Sequence, residues 1–346
     1  MFRESNVKRG LISLILVPVL ALCACNKTSP SQCMSPASSV LRIIVDQAGR
    51  TVEINNPVER IVSGYYISSS ACIALGLSDK LAGIEAKADS RPIYALAAPE
   101  LLALPNVGTA KEFNLEGCIA LEPDLVILPV HLRDSADIMT ELGIPVILVN
   151  PEGYDELLEM ITLIGDAAGA GERAERLLTY YGDMRNKIND FIAGAADKPV
   201  VHMCGVGSYL TTAPKDMYQS VLIGIAGGQN AAREIEGNKW TPISYEQLLA
   251  MDPEVIIIPS EAGYDKKDIL ADEQLAALNA VINGRIYQMP DDYEAWDSPV
   301  PSSILGMLWL VNILHGDVYS PETLNNDVSA FYNDFYGIRL YGADNG

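Results

Sequence analysis

Residues 114–128 read NLEGCIALEPDLVIL, and residues 244–258 read SYEQLLAMDPEVIII. The two stretches align without a gap at an offset of 130 (244 − 114). Glu116 matches Glu246, Ala120 matches Ala250, Pro123 matches Pro253, and Asp124 matches Glu254. Each reads as a helix halted by proline, which has no N–H to give and clashes with the preceding turn. Each then runs into an unbroken aliphatic stretch, the pattern of a strand buried on both faces. A unit used twice predicts two lobes of similar topology, each with one Glu at the start of the equivalent helix.

The surrounding chain extends the pattern. LRIIVDQAGRTVEI (41–54) reads as a hairpin around a glycine turn. RIVSGYY (60–66) reads as a strand entering a glycine loop, and SSSACIALGL (68–77) as a short helix with serine at its N-cap. KLAGIE (80–85), DLVILPV (124–130) and PVILV (145–149) are strands, with a helix at about 133–142. Strands alternating with helices predict a parallel sheet flanked by helices. Two helical patterns follow, at 154–170 and 171–194. The second, of about 24 residues, would span roughly 36 Å and could cross between lobes. A second α/β run comprises PVVHMCG (199–205), a helix near 216–227, EVIIIP (254–259) and RIYQMP (285–290). Helices at about 302–315 and 321–336 close the chain. The expected fold class is therefore α/β: two similar lobes with mostly parallel sheets, joined by one long helix. The expected divisions are an N-terminal lobe at 41–153, a helical linker at 154–197 and a C-terminal lobe at 198–346.

The N-terminus reads as an address. Arg3, Lys8 and Arg9 precede an apolar run from Leu11 to Leu22, too short for a confident membrane span. Leu22-Cys23-Ala24-Cys25 then resembles a bacterial lipobox, with Cys25 the lipidated residue. Residues 1–24 are the expected signal peptide, and residues 25–40, rich in Ser and Pro, the lipidated Cys and flexible tether. An ordinary signal peptide cleaved near Ala24 is the plainer alternative.

The 346 residues carry 24 Lys+Arg against 45 Asp+Glu, a net charge of −21. Cleavage before Cys25 removes three basic residues and one acidic one, leaving 21 against 44, or −23. Such a charge argues against nucleic-acid binding, which wants basic surface to meet phosphates. With 49% hydrophobic residues the chain can bury a core, so it is not a disordered segment. Cys72, Cys118 and Cys204 are far apart in apolar surroundings and read as small buried hydrophobes. No cysteine or histidine spacing suggests zinc, and the chain has only three His, at 131, 202 and 315. It has no GxSxG, HExxH or P-loop sequence. No catalytic residue, resident cofactor or metal is expected.

Ligands of open α/β sheets bind beyond the carboxyl ends of the strands. In the first lobe that rule selects Tyr65 and Tyr66, then Lys111, Glu112 and Phe113, then His131 and Arg133. In the second it selects Ser208 and Tyr209, Lys239 and Trp240, Glu261 and Tyr264, and Tyr293 and Trp296. A rim of aromatic and cationic side chains suits a large ligand with aromatic faces and anionic groups.

The sequence from about 41 to 336 resembles the ABC-importer substrate-binding lipoproteins of the iron-siderophore, haem and cobalamin type, the helical-backbone class of periplasmic binding proteins. The matching pieces include DQAGRTVEINNPVERIVS, LPNVG before NLEGCIALEPDLVIL, LGIPVILV, WTPISYEQLLAMDPEV, GRIYQMP and EAWDSPVPSSILGMLWLVNILH. The resemblance implies two α/β lobes joined by a rigid helix, a ligand cleft between them and limited hinge motion. It also implies that Glu116 and Glu246 are docking carboxylates, one per lobe, for arginines of a membrane permease served by an ATPase. Trp240 matches a position often aromatic in the family's pocket, and DSPVPSS resembles a subgroup associated with iron chelates or molybdate.

The expectation is thus a monomeric, extracytoplasmic, lipid-anchored binding protein for a metal chelate. A ferric siderophore comes first, because Lys111, Arg133 and Lys239 could meet its anionic groups. Haem could take Tyr65, Tyr66, Tyr209 or His131 as axial ligand. Cobalamin would have Trp240 and Trp296, and molybdate would want a smaller pocket rich in N–H donors. From other classes, a surface sensor or scavenger and a metal-cluster enzyme on a similar scaffold remain; the latter would want clustered cysteines.

Overall fold

The structure is a computed structural model that describes residues 40–340, except 110 and 196. The expected signal peptide, lipidated Cys25 and most of the tether lie outside these residues. Among the described residues no helix is long and apolar enough to cross a membrane.

The chain opens with a hairpin of β1 (Val40–Val45) and β2 (Thr51–Asn56), paired antiparallel. Asp46 sets its turn: Oδ1 accepts from the Ala48 and Arg50 amides, while Oδ2 accepts from the Leu148 amide. A buried carboxylate thus ties the turn to the first lobe. That lobe contains β3 (Ile61–Ser63), α1 (Tyr66–Ala74), β4 (Leu81–Gly83), α2 (Pro92–Ala97), α3 (Leu115–Ile119), β5 (Leu125–Pro129), α4 (Arg133–Glu141) and β6 (Val146–Val149). Its four strands lie in the order β4-β3-β5-β6, all parallel. The apolar runs LVILP and VILV are wholly buried, as strands covered on both faces must be.

Two helices follow, α5 (Tyr154–Ala168) and α6 (Gly171–Ile192). At 22 residues, α6 spans about 33 Å. Tyr181 on α6 donates to the Pro301 carbonyl at 2.8 Å, and Lys187 pairs with Asp327 at 2.6 Å.

The second run contains β7 (Val200–Gly205), β8 (Ser208–Thr212), α7 (Tyr218–Ile225), β9 (Gln229–Asn230), β10 (Thr241–Pro242), α8 (Tyr245–Met251), β11 (Val255–Ile258), α9 (Lys266–Ala271), α10 (Asn279–Ile282), β12 (Ile286–Gln288), α11 (Ser303–Leu314) and α12 (Pro321–Tyr336). Its parallel strands lie in the order β9-β7-β11-β12. In chain order within each lobe, both sheets therefore read second, first, third, fourth. The internal repeat is matched by topology: α3 and β5 correspond to α8 and β11. Asn114 caps α3 by accepting from the Gly117 amide, and Ser244 caps α8 by accepting from the Gln247 amide.

Two local expectations need correction. The helix after RIVSG begins at Tyr66, so Ser68, Ser69 and Ser70 lie inside it and are buried, and none is its N-cap. Ser208 and Tyr209 are not in a loop but on β8, which turns back antiparallel to β7 and also pairs with β10. A hairpin thus occupies part of the first strand's free edge, an element the first lobe's sheet does not have.

Candidate functional site

Strand ends from both sheets converge on one cavity. Beyond β3 lie Tyr66 and Ser70, and beyond β4 lie Arg91 and Tyr94. Beyond β11 lies Glu261, and beyond β12 lie Asp291, Tyr293 and Glu294. The cavity holds about 160 Å³.

Arg91 sits 4.3 Å above the centroid of the Tyr66 ring, a cation–π contact. Its hydrogen bond to the Lys87 carbonyl is long, 3.4 Å, and among the described residues it joins no ion pair. A guanidinium has five N–H donors, so most of its capacity is open to a ligand. Tyr66 reaches across to the other lobe, its hydroxyl 3.3 Å from Ser298 Oγ. Burial raises its pKa, while the Ser298 bond and Arg91 oppose the rise. Tyr293 packs on Tyr332, with ring centroids 4.6 Å apart.

Beneath the cavity lies a buried polar network. Glu294 accepts hydrogen bonds from Ser70, from Ser302 Oγ at 2.5 Å and from the Tyr336 hydroxyl at 2.8 Å. Burial raises its pKa, and those three hydroxyls counter the rise. Glu85 accepts from Ser69 Oγ and the Tyr94 hydroxyl, both at 2.5 Å. Neighbouring serines of α1 thus serve carboxylates of different lobes. A buried carboxylate needs such donors, because desolvating it alone would cost far more than folding supplies.

The other expected residues are distributed as follows. Tyr65 precedes α1, edge-on to Tyr66 at 5.4 Å. Phe113 and Trp240, both half-buried, stand over the glycines that follow β3 and end β7. A Cβ on Gly64 would lie 3.1 Å from Phe113, and one on Gly205 3.5 Å from Trp240. Tyr209 donates to Asp272 at 2.9 Å and meets Tyr264 edge-on at 5.6 Å, while Ser208 Oγ accepts from the Leu210 amide. Lys111, Glu112, His131 and Lys239 are exposed and do not line the cavity. Arg133 donates to the Ala48 carbonyl at 2.8 Å, on the hairpin turn. Trp296 is 5% exposed and donates to the Tyr332 hydroxyl at 2.9 Å, inside the packing behind Tyr293.

Glu116 and Glu246 are both exposed in the first turns of α3 and α8. The bond to Ser244 lowers the pKa of Glu246. Cys72, Cys118 and Cys204 are buried free thiols, each pushed up to about 12 chiefly by burial. Among the described residues no three His, Cys, Asp or Glu side chains cluster as metal ligands would.

Residues 61–293 match the family model described as periplasmic binding protein. The chain belongs to the periplasmic binding protein family. This periplasmic binding protein is 25% identical over 329 residues to the molybdate-binding protein MolA of Haemophilus influenzae, covering 88% of this chain and 93% of that one. It is 24% identical over 306 residues to the ABC transporter substrate-binding lipoprotein YvrC of Bacillus subtilis, covering 84% and 93%. A periplasmic solute binding protein from Veillonella parvula superposes with a TM-score of 0.78 at 27% identity, over 88% of this chain and 95% of that one. The protein is accordingly the substrate-binding component of an ABC transporter, acting outside the cytoplasm with a permease and an ATPase.

Reading the sequence of this binding protein by strand ends selected Tyr66, Glu261 and Tyr293 but missed Arg91, Ser70, Tyr94 and Glu294. Arg91 follows a 3-10 turn at Ala88–Ser90 and immediately precedes Pro92 of α2, a stretch with no hydrophobic period to read. The available signal was a lone cation before an N-terminal helix proline. Ser70 carries no pocket signal in sequence, because serines at the head of a helical run fit an N-cap equally well.

Proposed function

We propose that this periplasmic binding protein captures a metal chelate, a ferric siderophore first, in the cavity between residues 66–94 and 261–300. The observation that carries the reading is the meeting of strand ends from two sheets on a guanidinium laid over a tyrosine ring. The anionic group of the chelate meets Arg91, whereas Lys111, Arg133 and Lys239 are no longer needed for it. Cobalamin loses support, since Trp296 is packed away, and haem keeps only Tyr66 of its four candidate axial ligands on the cavity.

A second reading has its own support. The cavity, at about 160 Å³, is smaller than the roughly 300–1,000 Å³ of ordinary small-molecule sites. That size suits an oxyanion such as molybdate, the ligand named for the Haemophilus relative. A siderophore would enter with one arm and leave its bulk on the rim.

The reading includes the two-lobe division at 41–153, 154–197 and 198–346, a lipid anchor on Cys25, a monomer, and permease docking through Glu116 and Glu246. Native mass spectrometry of the unlipidated chain (26–346) tests the ligand assignment. The incubation pool holds ferric catecholate and hydroxamate siderophores, haem, cobalamin and molybdate. A retained ferric chelate supports the first reading, and retained molybdate the second. No retained ligand would remove the metal-chelate assignment.

A further inference from the structure

Taking the Arg91 cavity as the ligand site, we propose that the ligand is dipolar: it carries a cationic group that Glu261 and Asp291 receive, beside the anionic group that Arg91 receives. The charges lining the cavity are divided by lobe. The first lobe contributes Arg91; the second contributes Glu261, Asp291 and Glu294. Glu294 is buried and already holds three hydroxyl donors, so it has little capacity left for a ligand. Glu261 and Asp291 are exposed at the rim, and neither makes an ion pair or hydrogen bond to a described residue. Glu261 is close enough to act on Tyr66, whose ring also carries Arg91. The two signs therefore face one tyrosine from opposite lobes.

A purely anionic ligand would meet one guanidinium and two free carboxylates of its own sign. A ligand with an ammonium or other cation would satisfy both lobes at once, and Tyr293, which also lines the cavity, adds an aromatic side chain on the acidic lobe. The whole molecule favours the same class, since a net charge of −21 steers cations in and repels anions at low ionic strength.

The test uses the full-length protein in detergent and a matched series on one metal core. Ferrioxamine B has a pendant ammonium; its N-acetyl form is neutral there, and its N-succinyl form is anionic. Nickel(II)–histidine, whose amines are bound to the metal, and molybdate complete the set as a complex with no pendant ammonium and a pure anion. Calorimetric titration is expected to rank a cation-bearing probe first, at least tenfold above its neutral or anionic counterpart. In the Glu261→Gln/Asp291→Asn variant that preference is expected to fall below twofold, with the thermal midpoint unchanged because both side chains are exposed. Tightest binding by the succinylated chelate or by molybdate would overturn the dipolar assignment while leaving the cavity as the site. A preference that persists in the double variant would overturn it too. Binding of none of the five would overturn this inference, whereas the metal-chelate reading stands or falls on the wider pool of catecholates, haem and cobalamin in the mass-spectrometric test.

Discussion

Glu122 and Asp252, 130 residues apart, both hold left-handed backbone, with φ of 48° and 40°. Each precedes a proline, and the residue after that proline seals the start of a strand. Asp124 accepts from the Glu59 and Arg60 amides at 2.9 Å, and Glu254 accepts from the Val200 amide at 3.1 Å. The joint between helix and strand is thus built twice, down to backbone handedness. It sets where β5 and β11 begin, and so where the carboxyl end of β11 delivers Glu261 to the cleft.

The two joints respond differently to glycine. A non-glycine residue in this region strains its Cβ against the following carbonyl. Glu122 is exposed, so Glu122→Gly is expected to stabilise the protein by about 0.5–1 kcal/mol. Asp252→Gly relieves similar strain but loses two bonds from Asn279, so it is expected to be neutral or destabilising. Urea midpoints of the two variants decide it; equal shifts would count against the strain argument.

Reversing the paired carboxylates should separate binding from delivery. Glu116→Arg with Glu246→Arg is expected to abolish uptake while ligand affinity stays within twofold. Exposed ion pairs contribute only about 0–1 kcal/mol each, so the pairs orient the docking more than they hold it. Uptake assays in cells beside titration of the purified variant make the comparison, and normal uptake would refute the docking role.

His202 on β7 makes stability fall in mild acid. Its Nε2 faces the Tyr209 carbonyl at 2.9 Å, so that nitrogen carries the proton. Burial pushes its pKa down to about 4 from an ordinary 6.5. The unfolded chain therefore takes up a proton as pH falls through 6.5, and the folded one only near 4. Stability present above pH 6.5 is lost on the way down and levels off below about 4, by up to about 3 kcal/mol from this group. Against His202→Gln, the wild-type stability advantage is expected to shrink between pH 7 and pH 4. A constant gap would show that the histidine titrates normally.

The proposed lipid anchor is Cys25, outside the described residues. Cys25→Ala is expected to move the protein from the membrane fraction to the soluble one on detergent partitioning. Unchanged partitioning would remove the anchor.

Much of this architecture was legible in the sequence because period carries it. The strands LVILP and VIII and the helices at 154–168, 171–192 and 321–336 all bury a regular apolar pattern. The β8 hairpin was not legible, since GVGS fits a plain turn as well as a hairpin and SYLTT neither alternates apolar with polar residues nor runs apolar. The cavity was half legible. Strand ends point to Tyr66 and Tyr293, but Arg91 lies eight residues past β4, where only three-dimensional return brings it over Tyr66. Trp296 misled because an aromatic after a strand reads as rim until Tyr332 is seen to hold it inside.

The most direct measurement is the affinity of Arg91→Gln for the chelate that mass spectrometry finds retained. A charge-assisted hydrogen bond contributes about 1.5–3 kcal/mol, so a ten- to hundredfold loss is expected. The thermal midpoint should move little, because Arg91 holds only a long bond to the Lys87 carbonyl and a cation–π contact with Tyr66 that contributes about 0.5–1 kcal/mol. Affinity equal to wild type would contradict the account and put the ligand elsewhere on the protein.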